Sequence, residues 1–269
     1  MVLAHSPNGG DGEPEVTMGA TDAGAARLRL MARDVPPTRD PRGCLLPAAE
    51  RPLQRDRVAR VVIRLLLALF FRVQVEGRER IPTGRPLICA ANHHSWLDPF
   101  LLLAILPLAP RRYALGINAG AAVSPVWRRI IGPFHTFIPL DRARPQAAIH
   151  AMEDILERGN TLIIFPEGGI GPGDGRVRPL QSGTAYLAQR TGYPILTVGI
   201  TGSYDLWWRK RLTVRIGPCI DPAHFVEGTA RARRTALLAD LRAQIQALLV
   251  RERAHHGPTL LRKTLTNLF

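Results

Sequence analysis

Cysteine is scarce in this chain: Cys44, Cys89 and Cys219 are the only three among 269 residues. Their number is odd and their spacing unlike that of a metal site, so neither a disulfide framework nor a cysteine-built metal centre is expected. A reducing cytosol fits that usage. Cys89 and Cys219 fall inside apolar, strand-like runs and read as small core residues, and no base partner is implied that would make Cys89 a nucleophile. Aromatic residues are few, at 6%, yet hydrophobic residues make up 46%, so a sizeable core needs no covalent staples. The start of the chain has no basic stretch leading into an apolar core and a small-residue cleavage site, which argues against a secretory signal. Lysine is nearly missing, with Lys210 and Lys263 the only two. No internal repeat is visible.

Positive charge is plentiful, and it is unevenly placed. The net charge is +14, almost all of it from arginine. Residues 1–55 hold seven acidic and seven basic side chains and are neutral as a block, whereas residues 56–269 hold 29 basic and 15 acidic ones. An excess concentrated on the folded part predicts attraction to a polyanion, either nucleic acid or the anionic face of a membrane. Arginine bias also follows from genome composition, which is the plain alternative. No aromatic-rich strand or nucleic-acid motif accompanies the charge, so a nucleic-acid partner is not expected.

The length suits one generous α/β domain with appendages. Residues 1–55, with six glycines, seven prolines and no sustained apolar periodicity, predict a disordered extension. Residues 56–72 carry Arg57, Arg60 and Arg64 at helical spacing amid an otherwise apolar surface. A spanning helix needs about 20 apolar residues, and only 14 lie between Arg57 and Arg72, two of them arginine. A membrane-surface helix with its arginines reaching lipid phosphates is the expectation, an ordinary buried helix the alternative. From there strand-like runs near 73–76, 86–91, 112–116, 135–139, 161–165, 195–200 and 212–217 alternate with helix-like runs near 98–107, 145–158, 181–191 and 231–253. That alternation predicts an α/β domain over 73–255, a mixed and partly parallel central sheet flanked by helices. Leu237, Leu238, Leu241, Ile245, Leu248 and Leu249 form one stripe on the last helix and read as packing. Residues 256–269 form a tail.

Three clusters carry chemistry. In the first, the apolar run ending at Ala91 delivers Asn92-His93-His94-Ser95-Trp96-Leu97-Asp98. A histidine whose tautomer is fixed by a carboxylate can take a proton from a hydroxyl. His93 is the better base by spacing, with His94 its competitor. Asp98 before Pro99 also has the form of a helix N-cap. In the second, a strand runs out on Asp141-Arg142 ahead of the helix 145–158, where an arginine suits a phosphate or carboxylate, or simply a surface ion pair. In the third, the apolar strand 161–165 enters the acidic, glycine-rich turn Pro166-Glu167-Gly168-Gly169-Ile170-Gly171. Such a turn brings backbone N–H groups close to a ligand, and Glu167 serves there as a cap or an orienter of a basic group.

Together these clusters resemble the glycerol-phosphate and lysophosphatidate acyltransferase family over roughly residues 70–220. The resemblance rests on Asn92-His93-x-Ser95-x-x-Asp98, on Gly132 with Arg142, and on Phe165-Pro166-Glu167-Gly168, with Val75-Glu76-Gly77 and Ile216-Gly217 in the expected strands. It implies acyl transfer from an acyl-CoA or acyl-carrier-protein thioester to the hydroxyl of a lysolipid or glycerol phosphate, on the cytoplasmic face of a membrane. His93 would be the general base, Asp98 its orienter and Arg142 the holder of an acceptor phosphate, with Glu167 and Gly168 shaping the acceptor site. No metal and no cofactor is implied. The chain departs from the family at Gly169, Ile170 and Gly171, where threonine, arginine and serine are usual, and Arg176 or Arg178 is the candidate replacement for the missing arginine. It carries Gln181 where a lysine is common, and the proline-containing fourth motif is reduced to Thr197-Val198-Gly199-Ile200. All these departures fall on the acceptor side. The competing readings are a catalytically altered member that binds membranes through its charge, and a metal-dependent hydrolase using His93, His94 and Asp98.

Overall fold

The computed structural model describes residues 54–82, 86–107, 113–118, 136–140, 145–171 and 175–249. Helix α1 spans Gln54–Phe70 and runs directly into strand β1, Phe71–Glu76. Strand β2 (Ile88–Ala91) is followed by helix α2 (Asp98–Ile105) and strand β3 (Tyr113–Asn118). Strand β4 (Thr136–Leu140), helix α3 (Pro145–Glu157), strand β5 (Thr161–Ile164) and helix α4 (Gly183–Thr191) come next. Strands β6 (Ile195–Thr201) and β7 (Lys210–Ile220) form a hairpin before helix α5, Ala230–Leu248. Phe71 and Arg72, expected at the end of the first helix, belong instead to β1. Of the extension expected over 1–55, Gln54 and Arg55 belong to α1; residues 1–53 and 250–269 lie outside the described residues, as do Gly132 and Arg142.

The seven strands make one sheet in the order β1-β7-β6-β2-β5-β3-β4. Every neighbouring pair is parallel except β6 with β7. Parallel strands covered on both faces read as continuous apolar runs, and β2, β5 and β6 are buried at every residue. Their side chains still alternate between two cores. Cys89, Ala91 and Ile163 join the core formed with α1 and α2, while Ile88, Ala90, Leu162 and Ile164 join the core formed with α3, α4 and α5. The architecture is therefore helix, sheet, helix. At Gly199 a side chain would collide with Leu248, so the bare backbone there lets the end of α5 close on β6.

Helix α2 begins Asp-Pro and is otherwise apolar; all but Phe100 of its eight residues are buried. Helix α1 packs outside it, with Ala59 and Leu67 buried and Ile63 half-buried. Two arginines of α1, Arg60 and Arg64, bond to the protein. Arg60 donates Nε and Nη2 to the carbonyl of Ala104 at 3.2 and 3.1 Å, and Arg64 donates Nε to the same oxygen at 2.8 Å. A helix end leaves carbonyls unpaired and carries negative partial charge, so two guanidinium groups there satisfy α2's last turn. Arg60 and Arg64, expected to reach lipid phosphates, thus bond to a carbonyl of the protein. Much of what α1 turns outward is apolar: Val58, Val61, Val62, Leu65, Leu66 and Leu69 are each about half exposed or more, from 47% to 65%.

Candidate active site

The site sits at the C-terminal edge of β2, the middle strand of the sheet. β2 continues toward β3 on one side, while β5 continues toward β6 on the other, and ligands in open α/β sheets favour such divergences. Asn92, the first residue past β2, is fully buried. Its side chain copies a strand pairing: Oδ1 accepts the N–H of Ile200 at 2.7 Å, and Nδ2 donates to the carbonyl of Ile200 at 2.9 Å. The chain is thereby fixed to β6 just before His93.

His93 Nδ1 lies 3.0 Å from Asp98 Oδ2. A carboxylate oxygen only accepts, so Nδ1 carries the hydrogen and Nε2 holds the lone pair. The same Oδ2 takes the backbone N–H groups of His94 at 2.6 Å and Ser95 at 2.8 Å. Asp98 is fully buried, and its side chain folds back over the turn rather than capping α2. The N-cap expected from Asp-Pro is thus corrected. Leu97 holds that position and makes no side-chain cap. The imidazole is also held in plane by Phe165, whose ring stacks on it at 4.1 Å between centroids and 18° between planes. His94 points elsewhere: its Nδ1 lies 3.3 Å from Asn92 Nδ2 and its ring is buried.

Glu167 sits past β5 with its side chain wholly buried. Its Oε1 accepts the backbone N–H of His93 at 3.0 Å, and its Oε2 accepts the backbone N–H of Arg178 at 3.0 Å. The Arg178 guanidinium closes the same knot, with Nε 3.5 Å from Glu167 Oε2 and Nη2 donating to the carbonyl of Gly169 at 2.5 Å. Gly171 donates its N–H to the carbonyl of His93 at 2.6 Å. A Cβ at Gly171 would lie 3.3–3.4 Å from His93 O, His94 Cδ2 and Glu167 Oε2, crowded on three sides. Gly168, at φ +71°, adopts the left-handed turn that lets the chain reverse there. Arg178, a candidate for the acceptor phosphate, is half-buried and holds Glu167 and the Gly169 carbonyl. Arg176 is exposed.

Sequence reasoning missed two residues of α5. Gln246 accepts the N–H of Val177 at 2.9 Å and donates to the carbonyl of Gly175 at 2.9 Å. Arg242, one turn earlier, donates to the carbonyl of Val177 at 3.1 and 2.9 Å. The segment carrying Arg176 and Arg178 is pinned to a helix that the sequence offered only as packing. Cys89 is inert in this setting: burial, with a smaller push from Cys219, raises its thiol from 9.0 to about 12. Among the described residues no group of three His, Cys, Asp or Glu side chains is arranged to hold a metal ion.

A family model described as Acyltransferase matches residues 72–201, the stretch that holds β1 to β6 and both acidic turns. The 1-acyl-sn-glycerol-3-phosphate acyltransferase of Limnanthes alba is 33% identical over 153 residues, covering 54% of this chain and 50% of the relative. Residues 72–201 thus carry an acyltransferase domain similar to that of the lysophosphatidate acyltransferases. A human relative, 1-acyl-sn-glycerol-3-phosphate acyltransferase alpha, is 25% identical over 179 residues, covering 63% of this chain and 60% of its own. The crystal structure of the Thermotoga maritima LPA acyltransferase PlsC superposes with a TM-score of 0.56 at 25% identity, over 76% of this chain and 81% of that one. The chain spans about half the length of the plant acyltransferases it matches. The acyltransferase domain thus contains the His93–Asp98 pair and the Glu167 turn, while Arg178 lies within it and its α5 anchors, Arg242 and Gln246, lie beyond the matched stretch.

Proposed function

We propose that this protein is a membrane-associated O-acyltransferase. It moves a fatty acyl group from an acyl-CoA or acyl-carrier-protein thioester to the hydroxyl of a lysolipid or glycerol phosphate. The observation that carries this reading is the 3.0 Å bond from His93 Nδ1 to Asp98 Oδ2, which leaves Nε2 as the basic nitrogen. His93 Nε2 takes the hydroxyl proton as the oxygen attacks the thioester carbonyl. The tetrahedral adduct then collapses, the C–S bond breaks, and the imidazolium returns the proton to the departing thiolate. A thioester is already activated, so proton removal is the main help needed, worth roughly 10²–10⁴-fold. Asp98 orients the ring and offsets its transient charge. Arg142 and Arg176 are assigned to the acceptor's phosphate, and Glu167 with Gly168 to the wall of the acceptor site.

Membrane association is supported by α1. Its six outward aliphatic residues would gain roughly 1 kcal/mol each on entering the acyl boundary, given that each is already partly covered. Among the described residues no helix is long and apolar enough to cross a membrane, so the proposal is a peripheral or monotopic protein. The cytoplasmic leaflet, with its anionic lipids, suits a net charge of +14.

The test is purified protein supplied with acyl-CoA or acyl-carrier donors against a panel of lysolipids, beside His93→Ala. Turnover by the parent and none by a folded variant is expected. Equal turnover by both would remove His93 from the chemistry. A second reading, a protein that binds membranes without turnover, is favoured by the departures at Gly169, Ile170 and Gly171 on the acceptor side. Silence of the parent with every donor and acceptor would select it.

A further inference from the structure

The loop between β6 and β7 belongs to the same edge of the sheet as the candidate active site. β6 runs parallel to β2, with Ala91 opposite Val198, so residues past Thr201 emerge on the side where His93 emerges. β1 runs parallel to β7, with Phe71 opposite Lys210, so the end of α1 meets the end of that loop. The junction is tied by hydrogen bonds. Arg209 donates its backbone N–H to the carbonyl of Phe70 at 2.6 Å and its Nη1 to the carbonyl of Ala68 at 3.4 Å. Arg209 is also the only non-glycine among the described residues in the left-handed region, at φ +61°, a conformation that needs outside support.

That loop holds two aromatic side chains at the surface. Trp208 is 50% exposed and Tyr204 42%. Trp208 stands edge-on to Phe70 at 5.4 Å, which makes it continuous with the apolar face of α1. Trp207, by contrast, lies under the ammonium of Lys210 at 4.1 Å. Around Trp208 the exposed charges are positive. Arg72 and Arg211 are register partners at the start of β1 and β7, and both are exposed, as is Arg209. The loop's single acid, Asp205, has its carbonyl bound by Lys210 Nζ. Half-exposed tryptophan and tyrosine, with arginines alongside, match the headgroup layer of a bilayer, where an aromatic ring sits between acyl chains and water while guanidinium groups meet phosphates.

We infer that residues 204–209 form a second lipid contact, in which Trp208 and Tyr204 enter the headgroup layer of an anionic bilayer beside α1 and Arg72, Arg209 and Arg211 bind its phosphates. The inference rests on the reading that α1 lies on a membrane. It adds a consequence, because two contacts fix an orientation that one helix leaves free to roll. The loop and the end of α1 lie on the edge from which His93 emerges, so the contact turns the base toward the lipid.

The experiment uses the full chain and vesicles of phosphatidylcholine with phosphatidylglycerol, some carrying brominated acyl chains. Tryptophan emission of the parent should be quenched on binding, and Trp208→Phe should lose most of that quenching. Trp208→Ala should bind about tenfold more weakly, the loss of one half-buried indole, and Tyr204→Ser several-fold. Undiminished quenching in Trp208→Phe, with vesicle binding intact, would overturn the loop contact while leaving α1's role standing. Absence of vesicle binding by the parent would overturn both. A dimer that Trp208→Ala converts to monomer, with vesicle affinity unchanged, would assign the patch to a second copy and refute the lipid contact.

Discussion

Glu167→Gln changes no volume and removes one charge, and the structure says it should cost far more than that exchange suggests. The carboxylate stands between two backbone donors, His93 N at 3.0 Å on Oε1 and Arg178 N at 3.0 Å on Oε2. An amide offers one acceptor and one donor, so whichever way the new side chain turns, its NH₂ faces an N–H. One buried backbone donor is then left without an acceptor, at about 1–3 kcal/mol. The surviving bond becomes neutral and weakens by about 1 kcal/mol more. The Arg178 ion pair adds little, because the arginine side chain is 40% exposed and the 3.5 Å pair is loose. A loss of roughly 2–4 kcal/mol corresponds to a fall in Tm of about 5–15 °C for a domain of this size. Turnover should suffer separately, since the freed N–H belongs to the residue carrying the base, and a displacement of about 1 Å can cost 10²-fold. Thermal melts and initial rates of Glu167→Gln, beside Glu157→Gln on the exposed side of α3 as a control, give both numbers. A Glu167→Gln protein that melts within about 2 °C of the parent would show that both donors find other acceptors, and the brace argument would fail.

Asp98→Asn should leave a folded protein whose kcat falls by about 10²–10⁴-fold, because a neutral amide oxygen holds Nδ1–H more weakly and does not balance an imidazolium; circular dichroism and initial rates check it, and a tenfold loss or less would be too small. Arg242→Ala and Gln246→Ala should each cost about 1–2 kcal/mol and couple in a double-mutant cycle by at least about 0.5 kcal/mol, since both act on Val177. Each should also speed tryptic cleavage after Arg176, read by mass spectrometry; unchanged cleavage would mean that α5 does not hold that segment. In a Cys44→Ser, Cys219→Ser background, Cys89 should resist Ellman's reagent at pH 8 until the chain is unfolded. Its folded thiol is raised to about 12 and stays protonated well above neutral pH; rapid stoichiometric release from native protein would contradict that burial.

The strands were legible because burial on both faces demands continuous apolar runs, and Ile88-Cys89-Ala90-Ala91, Thr161-Leu162-Ile163-Ile164 and Ile195–Thr201 are such runs bounded by turn residues. The His93–Asp98 pairing was legible for a local reason, as five residues suffice for a turn to close on itself. Side-chain partners across long sequence separations were not. Periodicity places Arg57, Arg60 and Arg64 on one face of α1 but does not say which face meets the protein; that depends on the carbonyl of Ala104, 40 and 44 residues away. Gln246 and Arg242 look like ordinary solvated positions of an amphipathic helix, because their partners are backbone atoms 65 to 71 residues upstream. Asp98 before Pro99 carries the full signal of an N-cap, and its carboxylate found better donors behind it than ahead. A local propensity lost to a loop whose N–H groups converge on one buried oxygen.

The junction of the two acidic turns follows from strand register. Ala90 pairs with Ile164 across β2 and β5, and three residues further along each chain stand His93 and Glu167. Adjacent parallel strands lie about 4.8 Å apart, a gap that a glutamate side chain crosses to reach a neighbouring backbone N–H and that an aspartate side chain would not fill. The same register sets Phe165 beside the imidazole it stacks upon. The base is therefore positioned twice by the sheet and once by its own turn: in height by Glu167 on its backbone, in plane by Phe165 on its ring, and in rotation by Asp98 on Nδ1. None of these holds depends on a long flexible side chain. The arginine that does join them, Arg178, acts on Glu167 rather than on His93, and α5 fixes the backbone that carries it. A shift of one residue between β2 and β5 would undo the first two holds together while leaving the His93–Asp98 turn intact, so the spacing of the first motif alone would not preserve the aim of the base.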